Sequence, residues 1–89
     1  MLAINNKTTY DIRKNSIIIS NGQDGFKLDD LVSITLFKEI VGKKKCSKKE
    51  LISLTLSRFN LDEKQLSTVE QEVSNFISQL VAVNILEVI

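Results

Sequence analysis

The sequence predicts an α+β domain in which a three-stranded antiparallel sheet is followed by three helices, and three observations carry that reading. The first thirty residues are rich in β-branched and aromatic types and are broken by the polar, Gly-bearing stretch Asn21, Gly22, Gln23, Asp24, Gly25. From residue 30 the apolar residues change to steps of three and four. The last third, residues 66–89, reads LSTVEQEVSNFISQLVAVNILEVI, and its Val69, Val73, Phe76, Ile77, Leu80 and Val81 fall on one helical face. Strands and helices in separate blocks give a sheet with helices on one side.

Each element has its own signal. Thr8, Thr9, Tyr10 and Ile12 read as one strand, and residues 16–20, centred on Ile17, Ile18 and Ile19, as the next. Phe26, Lys27 and Leu28 alternate as a short third strand after the turn. Met1–Ile4 is an alternative to Thr8–Ile12 as the first strand, and the residues alone do not separate the two. Leu31, Ile34, Phe37, Ile40 and Val41 then mark an amphipathic helix over 30–41, with Asp29 or Asp30 as N-cap and Gly42 as the left-handed residue that ends it. Ser47 and Glu50 form a capping box ahead of a helix of about three turns, with Leu51, Leu54, Thr55 and Phe59 on one face. Asn60 and Leu61 close it, and Asp62 to Gln65 either make a short turn or begin the last helix early. Ser67 and Glu70 give a second capping box for the last helix, and Asn84, which tolerates the left-handed conformation, ends it before an apolar tail folds back on the core.

Eighty-nine residues suffice for one domain, 1–89, with one core and without metals or disulfides. A hydrophobic fraction of 43% with 26% charged residues is that of a folded chain. The longest apolar runs fall far short of the roughly 20 residues of a membrane span, and MLAINNKTTYD lacks the apolar block of a secretory signal. These features, with the single Cys46, fit the cytoplasm, and the short length with a Met start fits a free-standing protein. The net charge of +1 conceals a division: residues 1–49 hold ten Lys/Arg against five Asp/Glu, and residues 50–89 hold two against six. A chain of this balance is no polycation, so any phosphate-binding reading rests on the local cluster Lys43, Lys44, Lys45, Lys48 and Lys49. That cluster reads first as a solvated loop between helices and second as a patch for an acidic partner.

Catalytic chemistry is not legible. With no His, the serine-triad and His-based metal or general-base constellations are excluded, and the glycines at 22, 25 and 42 make no phosphate loop. Cys46 lies among lysines just before a helix start, a setting that lowers a thiol pKa, yet it has no His and no resolving cysteine. A small side chain in a connector is the better account. The acid pairs Asp29–Asp30 and Asp62–Glu63 sit at helix starts, where negative charge is favourable without any metal. The four phenylalanines lie on apolar faces, and only Tyr10 is placed for partial exposure.

Three strands followed by three helices, the last one long, is also the outline of a winged helix-turn-helix. The wording of the sequence is more specific. Phe26-Lys27-Leu28-Asp29, Leu36-Phe37-Lys38-Glu39-Ile40, Glu50-Leu51 with Leu54 and Phe59, and Glu72-Val73-Ser74-Asn75-Phe76-Ile77-Ser78-Gln79-Leu80 followed by Asn84-Ile85-Leu86 together resemble the PqqD-like family, the RiPP recognition elements of ribosomal-peptide modification pathways. The resemblance runs from about Phe26 to the end. It departs where Glu72 stands for Asp, Ile77 for Leu and Asn84 for Gly, changes that keep charge, apolarity and turn competence.

The resemblance implies a non-catalytic domain, without cofactor, that captures the leader segment of a precursor peptide and presents it to a modifying enzyme such as a radical SAM enzyme, leader peptidase or cyclase. It implies a leader that adds as a further strand beside Gly25, Phe26, Lys27, Leu28 and Asp29, with the last helix as the other wall. Strand addition suits a free sheet edge, since backbone hydrogen bonds give affinity and alternate side chains give selectivity. On the last helix the flank about 100° from the core centre holds Glu72, Asn75, Phe76 and Gln79. The lysine cluster then meets acidic residues of the leader or the enzyme. The competing reading is a winged-helix DNA binder, disfavoured because the last helix carries Glu70 and Glu72 and no basic residue. A third is a dimerising module that pairs through the same edge.

Overall fold

In the computed structural model, which describes residues 1–89, the chain runs β1 (Leu2–Ile4), β2 (Thr9–Ile12), β3 (Ile17–Ser20), β4 (Gly25–Leu28), α1 (Leu31–Lys43), α2 (Lys48–Arg58), α3 (Leu66–Ala82) and β5 (Leu86–Val88), with a 3-10 turn at Glu63–Gln65. The fold is α+β, a three-stranded antiparallel sheet in the order β2-β3-β4 followed by three helices. Both candidates for the first strand are strands. β2 opens the main sheet, whereas β1 pairs antiparallel with β5 in a sheet of its own, Leu2 opposite Val88 and Ile4 opposite Leu86. The apolar tail is therefore a strand, which its three-residue length hid.

Side-chain alternation sets which face of the main sheet is buried. Ile17 and Ile19 of β3 have no exposed surface, while Ile18 and Ser20, which alternate with them, are half-buried. Register puts Tyr10 and Phe26 beside Ile19, and Ile12 and Leu28 beside Ile17, on that same inner face. α1 covers it. Phe37, fully buried, meets the ring of Tyr10 edge-to-face at 5.5 Å, and Tyr10 remains 42% exposed at the sheet margin. The core continues through Leu36, Ile40, Leu51, Val69, Val73, Phe76, Leu80, Ile85 and Leu86 as one buried cluster. The α3 stripe supplies Val69, Val73, Phe76 and Leu80, with Ile77 and Val81 at its margin. Of the expected α2 face, Leu51 and Thr55 are buried, and Leu54 and Phe59 are half-buried.

Two helix boundaries differ from expectation. Gly42 lies inside α1, and the left-handed turn falls on Lys44, at φ 67°, whose N–H still reaches the Ile40 carbonyl at 2.8 Å. The helix continues because that hydrogen bond is available two residues past the glycine. Likewise Ser67 does not cap α3. The 3-10 turn intervenes, and the reciprocal box is made by Asp62, whose carboxylate accepts from Lys64 N–H at 3.0 Å, with Gln65 accepting from Asp62 N–H at 3.4 Å. The other boundaries follow the sequence: Asp30 accepts from Ser33 N–H at 2.9 Å, and Asn60 and Asn84 adopt positive φ. Only half of the box expected at α2 forms: Ser47 accepts from Glu50 N–H at 3.1 Å, while the Glu50 carboxylate accepts from Lys43 Nζ and the Cys46 thiol instead of reaching back to the Ser47 N–H. No helix is long and apolar enough to cross a membrane.

Candidate functional site

The edge of the main sheet can be read group by group. Arg13 donates to the Ser16 carbonyl at 2.8 Å across the β2–β3 turn, and Asn21 donates to the Asp24 carbonyl at 3.2 Å across the β3–β4 turn. In an antiparallel ladder, successive residues of a strand direct their N–H and C=O groups to opposite sides. With the observed register, Phe26 and Leu28 therefore bond β3, and the N–H and C=O of Gly25 and Lys27 point away from it. β4 has no neighbour on that side. Gly25 and Lys27 also have exposed side-chain positions, whereas Phe26 and Leu28 turn into the core.

The end of this edge leads directly into a cleft. After Leu28 the chain passes Asp29 and reaches Asp30, the N-cap of α1. Asp30, Val32 and Ser33 form one wall of a cleft of about 300 Å³, and Glu72, Asn75, Phe76 and Gln79 of α3 form the other. The four α3 residues expected on the flank thus line one cleft. Spacing explains it: 72, 75, 76 and 79 recur at three and four along one side of a helix. Phe76, 6% exposed, is the floor together with half-buried Val32, while Glu72, Asn75 and Gln79 stand exposed at the rim. The residues of β4 itself, and Asp29, do not line the cleft; edge and cleft are consecutive along the chain. Asp30, Val32 and Ser33 were not expected at the site, although the step from strand directly to N-cap places the first turn of α1 beside it.

The electrostatics of the cleft are acidic. Neither Asp30 nor Glu72 takes part in an ion pair, which occur at Arg13–Asp11, Lys43–Glu39 and Lys43–Glu50. One oxygen of Asp30 is occupied by the Ser33 amide and the other is free.

The lysine cluster does not form one patch. Lys43 is held by Glu39 at 3.3 Å and Glu50 at 3.4 Å, and these hydrogen bonds and charges, Glu39 foremost, raise its pKa. Lys44 borders a different cleft, with Ile4, Tyr10 and Val41, and Lys48 and Lys49 face the groove between α2 and α3. Lys49 also lines, with Lys43, Glu39 and Glu50, a cleft of about 620 Å³. Lys45 is exposed in the connector.

Cys46 is reversed from its sequence-level electrostatics. Leu2 and Cys46 bond each other's backbone, the thiol is fully buried, and it donates to a Glu50 carboxylate oxygen at 3.6 Å. Burial above all, and then the Glu50 charge, pushes the thiol pKa up to about 11, against the small lowering effect of Lys43. Burial also raises Glu50, but hydrogen bonds from Cys46 and Lys43 outweigh it and leave its pKa lowered. No three His, Cys, Asp or Glu side chains converge as metal ligands would. Comparison with family models, with curated proteins and with solved structures finds no match to this chain.

Proposed function

We propose that this chain is a non-catalytic peptide-binding domain, a leader-recognition element of the PqqD-like kind, that captures an extended segment of a ribosomally made precursor peptide and presents it to a modifying enzyme in the cytoplasm. The observation that carries this reading is the continuity of a free strand edge, at Gly25 and Lys27, with the cleft between Asp30 and Glu72–Gln79. An added strand gains its affinity from the outward backbone groups of β4 and its selectivity from a side chain that enters the cleft. The apolar floor of Val32 and Phe76 beneath unpaired Asp30 and Glu72 favours a side chain with an apolar stem and a basic head.

The test is a titration with synthetic leader peptides followed by backbone amide shifts. Micromolar binding that shifts residues 25–33 and one side of α3 supports leader capture. Shifts elsewhere, or salt-sensitive binding to duplex DNA through the connector lysines, would overturn it, because DNA binding falls steeply with salt and strand addition does not.

A further inference from the structure

A second groove lies on the opposite side of α3, and the proposed function does not use it. It runs between α2 and the first turns of α3 and encloses about 580 Å³. Ile52 and Leu56, one turn apart on α2, form one wall and Leu66 the other; Leu66 is 36% exposed and the α2 pair is half-buried. Lys48 and Lys49 stand at the rim across from Glu70, and neither lysine has an ion-pair partner. Both belong to the first turn of α2, where the helix dipole disfavours positive charge. Two unpaired lysines at an unfavourable position beside an apolar groove form a local conflict that folding does not explain.

We propose that this groove docks an acidic amphipathic helix of a partner protein. The groove walls are helices and offer no free strand edge, so an extended occupant finds no ladder to join and binding runs through side chains. A third helix packs into the channel between two others, setting apolar side chains at three- and four-residue spacing on Ile52, Leu56 and Leu66. Carboxylates on its flank pair with Lys48 and Lys49. This surface and the β4 edge select differently shaped partners, one helical and one extended, and the proposal stands whether or not β4 binds a leader.

The experiment uses the full chain and two synthetic helical peptides that share one apolar face, one flanked by Glu and the other by Lys. The Glu peptide is expected to shift the amides of 48–56 and 66–70 and to bind at least about tenfold more tightly than the Lys peptide, with the preference shrinking as salt rises. The double variant Lys48→Glu, Lys49→Glu is expected to invert the preference. Because acidic residues suit the first turn of a helix, that variant keeps the fold, and a thermal melt verifies it. Equal binding of the two peptides, shifts outside the groove, or no saturation by the Glu peptide up to ~1 mM would overturn the proposal. So would a concentration-dependent mass abolished by Leu66→Ser, which would assign the groove to a second copy of the chain.

Discussion

Leu2 and Cys46 exchange both backbone hydrogen bonds, Leu2 N–H to the Cys46 carbonyl at 2.7 Å and Cys46 N–H to the Leu2 carbonyl at 2.9 Å. This bridge fastens the first strand to the connector between α1 and α2, and β1 in turn holds β5. The two ends of the sequence and its midpoint are thereby joined at one place. Cys46 is buried by that closure.

The thiol is therefore expected to resist alkylation at pH 8 in the folded protein and to react only as the chain opens, so its labelling rate should rise with denaturant in step with unfolding. Stability should also depend on pH in a defined sense. The folded thiol titrates at about 11 against 9.0 as its ordinary value, so the unfolded chain loses this proton first. Above about pH 9 the unfolded state binds fewer protons, and stability falls as pH rises toward 11. A Cys46→Ser variant should flatten that part of the pH profile. Rapid labelling of the folded protein at pH 8 would contradict the burial argument.

Gly42 offers a test of where α1 ends. An added Cβ at this position meets nothing within 4 Å, and the residue does not have positive φ. Gly42→Ala is expected to stabilise the protein by about 0.5–1 kcal/mol, the ordinary gain of alanine over glycine inside a helix. That corresponds to a rise of roughly 2–8 °C in Tm for a domain of this size. A left-handed helix terminus at Gly42 would give a loss instead.

The elements legible in the sequence were those with a local cause. Periodicity gave α1, α2 and α3, and alternation about Ile17–Ile19 gave the central strand. Ser47 caps where its spacing says it should, and of the two candidates Asp29 and Asp30 it is Asp30 that caps α1. What escaped depends on distant partners or on a competition between neighbouring signals. β5 is three residues long and exists through its pairing with β1, more than eighty residues away. Ser67 and Glu70 form a valid capping box in isolation; the short turn that residues 62–65 also allowed is the one formed, and it is Asp62 and Gln65, five residues earlier, that make the box. At the candidate site, spacing placed Glu72, Asn75, Phe76 and Gln79 together because one helix face is a local property. Their opposite wall, Asp30, Val32 and Ser33, is a matter of packing. The lysine run shows the reverse case, since residues close in sequence were divided among three clefts by a helix end, a connector and a helix start, Lys43 with Lys49, Lys48 with Lys49, and Lys44 apart.

Glu72 sits at the exposed rim of the cleft with no ion-pair partner, so its charge can be inverted without loss of packing. Glu72→Lys is expected to change stability by less than about 0.5 kcal/mol. Affinity for a leader peptide with Lys or Arg at the cleft position should fall by about tenfold at low salt, and a peptide with Glu there should recover it. Equal affinity for all these combinations would remove the acidic rim from recognition.

Lys27 separates the two roles of its strand. Its N–H points away from β3, so replacing it by proline removes an outward donor without breaking a ladder bond, and proline is tolerated at sheet edges for this reason. Lys27→Ala removes the side chain and keeps the donor. Strand addition requires the donor, so Lys27→Pro is expected to weaken leader binding by at least about tenfold while Lys27→Ala leaves most of it. Circular-dichroism melts should show both variants folded, with the proline variant lower by a few degrees at most, because the inner face of Phe26 and Leu28 stays packed against Ile19 and Ile17. If the two substitutions weaken binding equally, recognition runs through the lysine side chain and the β4 backbone is not its template.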